Sequence, residues 1–254
     1  MPELRRDGVR LAYDEAGSGG PALLFVHGFG GNSTHFADQL EYFKRRHRVV
    51  ALDRRGHGRS DKPEGPYAIP AIAEEVRWTV RERGLHKPVL VVHSQGGLGL
   101  EIVAQDPDLV SALVVLDAPV DPPAEVRAQL EQLLLGLRSP HYKEALDAMC
   151  EHMIFAPTDD KARRAALHGA LAGLPQHVLV ATWEAFLTHD PAPVAKRCKV
   201  PLLYVGGVMP CNEATLRGTV PHAMIGRAIG SGHFIQCDAA AQVNAMIEKF
   251  LTLI

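Results

Sequence analysis

The stretch Val89-Leu90-Val91-Val92-His93-Ser94-Gln95-Gly96-Gly97 decides the fold of this 254-residue chain. Its first four residues are a continuous apolar run, rich in Val, which reads as a buried strand. The run halts at small and polar residues, which reads as a sharp bend. Gly96 and Gly97 carry no side chain, so a following helix can pack close to the strand. A Ser at the apex of such a bend is held out where a ligand reaches it, the elbow arrangement that presents a nucleophilic hydroxyl. Elbows of this kind read G-x-S-x-G. Here Val92 stands at the first Gly, where a β-branched side chain must fit among crowded backbone. A plain Ser-Gly turn between strand and helix is the structural alternative.

Outward from the elbow, apolar runs and turn signals alternate. Asp7-Gly8 sits between 4–6 and 9–13 as a two-residue hairpin signal. Residues 21–27 form a buried strand that ends in His27-Gly28-Phe29-Gly30-Gly31. Ser33 or Thr34 is placed to cap a helix running to about Arg46. A strand over 47–53 leads into Asp53-Arg54-Arg55-Gly56-His57-Gly58-Arg59-Ser60. Ile72, Val76 and Val80 share one face of a helix ending near Arg83. After the elbow, a helix over 98–104 stops near Asp106-Pro107. A strand over 113–116 ends in Asp117-Ala118-Pro119.

From Val120 to about Lys199 the rhythm changes and no strand is predicted. Leu130, Leu133, Leu134 and Leu137 recur at helical spacing, as do Met149 and Met153, and breaks fall at Pro140, Pro157, Pro175 and Pro191. This segment reads as an insertion of three or four helices. A strand then returns at 200–205, a weaker one at 224–229 precedes Gly230-Ser231-Gly232-His233, and an apolar stripe over 243–254 marks a last helix. Strands alternating with helices imply a mainly parallel sheet covered on both faces. Right-handed crossovers bring successive strand ends to one edge, where sites form. Gly28-Phe29, Asp53, Ser94, Asp117, Gly206 and His233 fall at those ends.

Bulk properties narrow the function classes. The chain is 46% hydrophobic and 22% charged with a net charge of −2, ordinary for a globular protein that builds its own core. Arg5-Arg6, Lys44-Arg45-Arg46, Arg54-Arg55 and Arg163-Arg164 are short and scattered, and read as solvated faces rather than a nucleic-acid footprint. The N-terminus carries neither a signal peptide nor an anchor pattern, and no run spans a bilayer. Cys150, Cys198, Cys211 and Cys237 lack C-x-x-C spacing and read as free thiols in a reducing, cytoplasmic compartment. The 13 histidines show no metal-ligand spacing and read mostly as surface residues, so neither a metal nor a cofactor is expected.

Four motifs in order resemble the α/β-hydrolase family, and the likeness covers nearly the whole chain outside the insertion. His27-Gly28-Phe29 resembles the oxyanion loop. Residues 53–60 match D-x-R-G-x-G-x-S. His93-Ser94-Gln95-Gly96-Gly97 resembles the nucleophile elbow, and Gly230-Ser231-Gly232-His233-Phe234 the loop of the catalytic His. The resemblance implies an α/β-hydrolase fold, a mainly parallel eight-stranded sheet with helices on both faces. Residues 1–119 and 200–254 form the core, and 120–199 a helical cap.

The resemblance also implies roles. Ser94 is the nucleophile and His233 its base, and the backbone N–H groups of Phe29 and Gln95 form the oxyanion hole. The acid in most of the family follows the seventh strand, where this chain offers only Glu213. Asp117, at the end of the sixth strand, is favoured over it, as in haloalkane dehalogenases and zearalenone-type lactonases. Asp53 reads as a turn former partnered by Arg55 and Ser60, Asp238 as a cap of the last helix, and Cys211 as a bland thiol. Trp183, Met153 and Phe155 are substrate-binding candidates from the cap, with packing of the cap an equal reading. Trp183 leads because an indole offers area and one donor. His152 and His177 are either near the site or simply exposed.

The leading expectation is a serine hydrolase that cleaves a carboxylic ester or lactone of a small, largely apolar substrate through an acyl-enzyme. A cofactor-free dioxygenase, a C–C bond hydrolase or a perhydrolase is the alternative on the same fold, and a non-catalytic ligand-binding relative the other. Ser at the elbow speaks against dehalogenases and epoxide hydrolases, which resemblance assigns an Asp there. No nucleic acid or membrane partner is expected. Oligomeric state, a homodimer included, stays open.

Overall fold

The computed structural model describes residues 2–254. The chain runs β1 Glu3–Arg6, β2 Val9–Ala16, β3 Leu23–Val26, α1 Ala37–Phe43, β4 Val49–Leu52, α2 Ile69–Glu82, β5 Val89–His93, α3 Gly96–Gln105 and β6 Ala112–Leu116. Helices alone follow: α4 Ala124–Arg138, α5 Tyr142–Met149, α6 Lys161–Ala172, α7 Gln176–Thr188 and the short α8 Ala192–Ala195. Then β7 Leu202–Gly206, α9 Glu213–Thr219, β8 Met224–Arg227, α10 Ile235–Asp238 and α11 Ala240–Leu251 complete it. A single sheet of eight strands has the order β1-β2-β4-β3-β5-β6-β7-β8. β2 pairs antiparallel with β1 and β4, and every pair from β4 to β8 is parallel.

The hydrophobic pattern explains these layers. β3 to β7 are buried along their whole length, as strands covered on both faces must be. Alternate side chains part to opposite sides. Leu24, Val26, Leu90, Val92, Leu113 and Val115 meet Ile72, Val76 and Ile102 and, beyond them, the cap residues Leu130, Leu137 and Leu146. Leu23, Phe25, Val89, Val91, Val114 and Leu116 meet Phe36, Phe43, Val243, Ile247 and Phe250. At the Asp7-Gly8 turn both residues have positive φ (50° and 81°), the twist a two-residue hairpin requires.

Several sequence expectations need correction. The helix after the loop at 27–31 is capped by Asn32, whose side chain accepts from Thr34 N–H, and it begins as a 3-10 turn over Ser33–Phe36. Asp238 does not cap α11; it ends α10 and faces Arg163 at 3.5 Å. Arg54 and Arg55 are no solvated face: they are 2% and 7% exposed. Charge spacing cannot reveal this, because their partners are carbonyls and a carboxylate far away in the chain. Most of the histidines are partly or fully exposed, as expected, but five, His27, His35, His57, His93 and His233, are buried.

The cap sits over one end of the sheet. Its breaks fall at prolines, and Trp183 Nε1–H donates to Leu130 O at 2.9 Å, pinning α7 to α4. A π-helical turn over Cys150–Ile154 ends α5 and leads the chain down toward the sheet edge. Among the described residues no helix is long and apolar enough to cross a membrane.

Candidate active site

Two neighbouring strands end in the same unusual way. Ser94 follows β5 with φ 66°, and Asp117 follows β6 with φ 45°. A non-Gly residue in the left-handed region costs on the order of 1–3 kcal/mol and persists only where its surroundings impose it. The sheet imposes it here. Ser94 N–H donates to Leu116 O at 2.8 Å and Asp117 N–H to Val205 O at 2.7 Å, so each ladder runs one residue beyond its strand. Both side chains are then turned out at the strand ends.

His233 arrives from the loop after β8. Its Nδ1–H donates to Asp117 Oδ2 at 2.8 Å, and both residues are buried, at 5% and 0% exposure. The other carboxylate oxygen accepts from Gly207 N–H at 2.5 Å and Met209 N–H at 3.2 Å. Three donors thus fix the carboxylate. With Nδ1 committed to it, the imidazole keeps Nε2 free to take a proton. Ser94 and His233 border the same cavity. Among the described residues Ser94 Oγ has no hydrogen-bond partner, a separation common in unliganded sites.

Glu213 does not reach this cluster; it is exposed in the first turn of α9 and pairs with Arg217 at 3.8 Å. Asp53 is buried, as a turn former should be, and of its two expected partners Ser60 is found and Arg55 is not. Its carboxylate accepts from Ser33 N–H at 2.6 Å and from Arg59 Nε at 2.8 Å, while Ser60 Oγ–H donates to its carbonyl at 2.5 Å. Arg55 instead pairs with Glu75 at 2.6 Å. Cys211 is half-buried, and burial raises its thiol pKa.

The two oxyanion candidates differ. Phe29 N–H has no partner among the described residues. Gln95 N–H donates to His93 O at 2.7 Å across Ser94, so in this state the elbow itself uses that donor. Gly28 explains the close approach of the two loops: a Cβ there would lie 2.6 Å from Ser94 Cβ and 2.9 Å from His93 O. Only glycine fits.

The cavity over Ser94 is narrow, about 40 Å3, and apolar. Phe29, Met149, Met153, Phe155, Trp183 and Met209 lie on its walls, with no Lys, Arg, Asp or Glu among the lining residues. All three cap candidates are therefore placed at the cavity. Trp183 offers only area, because its N–H is spent on Leu130 O and its ring stands edge-on to Phe29 at 4.8 Å. His152 is exposed, and His177 faces Lys62 O at 3.3 Å; neither borders the cavity.

Sequence reasoning missed how the cap holds the histidine loop. His233 N–H donates to Ile154 O at 2.7 Å, and Gly232 N–H to Asp159 Oδ1 at 2.7 Å. His93 Nε2 faces His233 O at 3.0 Å from below. The one signal for Asp159 was an acid after Ala156-Pro157, which also describes an ordinary loop.

Ser94, the bonded His233–Asp117 pair and the apolar cavity thus meet at one edge of the sheet. A family model described as alpha/beta hydrolase fold matches residues 21–148, 128 of the 254 residues, and the chain belongs to that family. The enol-lactonase from Burkholderia xenovorans LB400 superimposes with a TM-score of 0.87 at 21% identity, covering 99% of this chain and 100% of that one. A thermophilic esterase from Thermogutta terrifontis gives 0.87 at 20%, covering 99% and 98%. At such identities the likeness is one of fold. Epoxide hydrolase 3 of Mus musculus is 37% identical over 123 residues, 47% of this chain and 34% of that protein. This chain covers about a third of the length of the first curated relatives it matches.

Proposed function

We propose that the chain is a serine hydrolase of small, uncharged carboxylic esters or lactones. One observation carries the reading: the 2.8 Å bond between His233 Nδ1 and Asp117, at the wall of the cavity that Ser94 enters. In the proposed reaction Ser94 Oγ bonds to the acyl carbon while His233 Nε2 takes the hydroxyl proton. The carbonyl electron pair moves to oxygen and meets Phe29 N–H and, once the elbow releases it, Gln95 N–H. Collapse expels the alcohol, which takes the proton from His233. Water then cleaves the acyl-enzyme by the same relay.

The wall composition supports an uncharged substrate. Among the described residues no Lys or Arg borders the cavity, and a buried carboxylate without a partner is expensive. A relative matched in part, the 2-(acetamidomethylene)succinate hydrolase of Mesorhizobium japonicum, acts by its name on a dicarboxylate, and the same argument speaks against that substrate here. The small volume favours short acyl groups, with Met149, Met153 and Met209 able to repack around them. The free thiols of Cys150, Cys198, Cys211 and Cys237 fit a reducing compartment such as the cytoplasm. One observation favours a second reading, a ligand-binding protein: the bond from Gln95 N–H to His93 O leaves a single free oxyanion donor.

Turnover of p-nitrophenyl acetate and short γ- and δ-lactones separates the two readings. The hydrolase reading expects turnover that disappears in Ser94→Ala. Binding without turnover, or equal rates in both proteins, contradicts it.

A further inference from the structure

Arg54 is the most unusual charge in the molecule. It is 2% exposed. Among the described residues no carboxylate forms an ion pair with it, for the nearby Glu75 is taken by Arg55 at 2.6 Å. Among the described residues its Nε has no hydrogen-bond partner. Burial lowers its pKa to about 10, so the guanidinium stays charged at neutral pH. A buried cation that shares its nearest carboxylate with another arginine is costly, and folds retain such a group where it serves something other than stability.

Its two bonds point to that service. Nη2–H donates to Gly28 O at 2.9 Å, and Nη1–H donates to Gln95 Oε1. Gly28 and Gln95 belong to the two loops that supply the oxyanion donors. The peptide joining Gly28 to Phe29 is trans, since Gly65-Pro66 holds the one cis bond among the described residues. In a trans peptide C=O and N–H point in opposite directions. A guanidinium clamped on Gly28 O therefore turns Phe29 N–H away from Arg54, and Phe29 and Ser94 line the same cavity. The cation also polarises that amide, which makes its N–H a stronger donor.

We propose that Arg54 is a positioning residue that orients and polarises the Gly28–Phe29 amide for the oxyanion, a role that rests on the serine-hydrolase reading above. His27 Nδ1 faces the same carbonyl at 2.8 Å, so the loop keeps one partner when Arg54 is replaced. The positive charge is offset only in part, by the Coulombic pull of Glu75, which Arg55 already holds in an ion pair. It is free to act on negative charge that develops at the substrate carbonyl oxygen, and it adds little to binding of the uncharged ester. Its effect therefore falls on kcat rather than KM.

The test compares wild type, Ser94→Ala, Arg54→Met and Arg54→Lys on p-nitrophenyl acetate, together with inhibition by a trifluoromethyl ketone, which forms a serine-bound oxyanion. Wild-type turnover that Ser94→Ala abolishes sets the base. If it is absent, the hydrolase reading fails and this inference falls with it. On that base, Arg54→Met is expected to lose kcat roughly 100-fold, the scale of one oxyanion donor, with KM within about threefold. Its affinity for the ketone falls by a similar factor, and its Tm is no lower than wild type. Arg54→Lys keeps the charge but not the fork, so its kcat loss is smaller; it carries the comparison if the Met variant does not fold. Wild-type kcat and ketone affinity in either folded variant overturn the role. So does a kcat loss that only tracks a fall in Tm and is equal in both variants.

Discussion

At the scale of single residues, backbone conformation does much of the work usually credited to side-chain identity. Ser94 and Asp117 both adopt left-handed conformations at adjacent strand ends. The same bend that makes the serine hydroxyl reachable on β5 makes the carboxylate reachable on β6. Asp117 is then held by Gly207 and Met209 N–H groups as well as by His233. An amide in its place keeps the shape but presents a donor where a donor already stands, so the imidazole loses its tautomer. Asp117→Asn is expected to lower kcat by roughly 10³- to 10⁴-fold with the fold intact. Glu213→Gln, exposed on α9, leaves kcat unchanged. Steady-state kinetics on a p-nitrophenyl ester check both, and the reverse ranking would move the acid to α9.

At the scale of elements, the cap and the histidine loop form one unit. The segment after the π-helical turn gives Ile154 O to His233 N–H and the Asp159 carboxylate to Gly232 N–H. Asp159 also accepts from Ala156 N–H at 2.8 Å, which closes its own loop. A Cβ on Gly232 would lie 2.5 Å from Asp159 Oδ2 and from Ile154 O, so the contact requires bare backbone. Cap position and imidazole position are therefore coupled. Removing the carboxylate strands a buried N–H, a loss of about 1–3 kcal/mol, and loosens the imidazole. Asp159→Ala is expected to lose kcat about tenfold with a smaller change in KM, and Asp159→Asn, which keeps an acceptor, to recover most of it. Kinetics of both variants decide the matter; wild-type kcat in Asp159→Ala would uncouple cap from site.

At the scale of the whole molecule, buried histidines govern the response to acid. Burial holds His27 and His93 well below their usual pKa, His35 at about 4 and His57 at about 3. The unfolded chain binds those protons near pH 6.5 and the folded chain does not. Their stabilising contribution is complete above pH 6.5 and is lost as pH falls, at about 1.4 kcal/mol per group per pH unit until each folded pKa is reached. Urea midpoints measured from pH 8 to 4.5 are expected to hold steady down to about 6.5 and then fall steeply. A flat profile to pH 5 would contradict the burial of these rings.

The same contrast marks what the chain reveals on reading. Strand ends at Ser94, Asp117 and Gly206 are legible because an apolar run that halts at a small or polar residue is a local signal. Histidine burial is not, for His27 and His57 lie in glycine-rich loops whose cover comes from elsewhere in the fold. Nor is the clamp at Arg54. Arg54-Arg55 has the local pattern of a solvated pair, and its bonds to Gly28 and Gln95 exist only once three strands lie side by side. The N-cap falls on Asn32, one residue before the expected pair, because Asn32, Ser33 and Thr34 are all capping types.

Mass spectrometry after exposure to a fluorophosphonate tests the central proposition most directly. The account predicts one adduct, on the peptide carrying Ser94, formed rapidly by the folded protein and slowed when His233 is replaced by Ala. A folded protein that takes up no label, or takes it elsewhere than Ser94, contradicts the account.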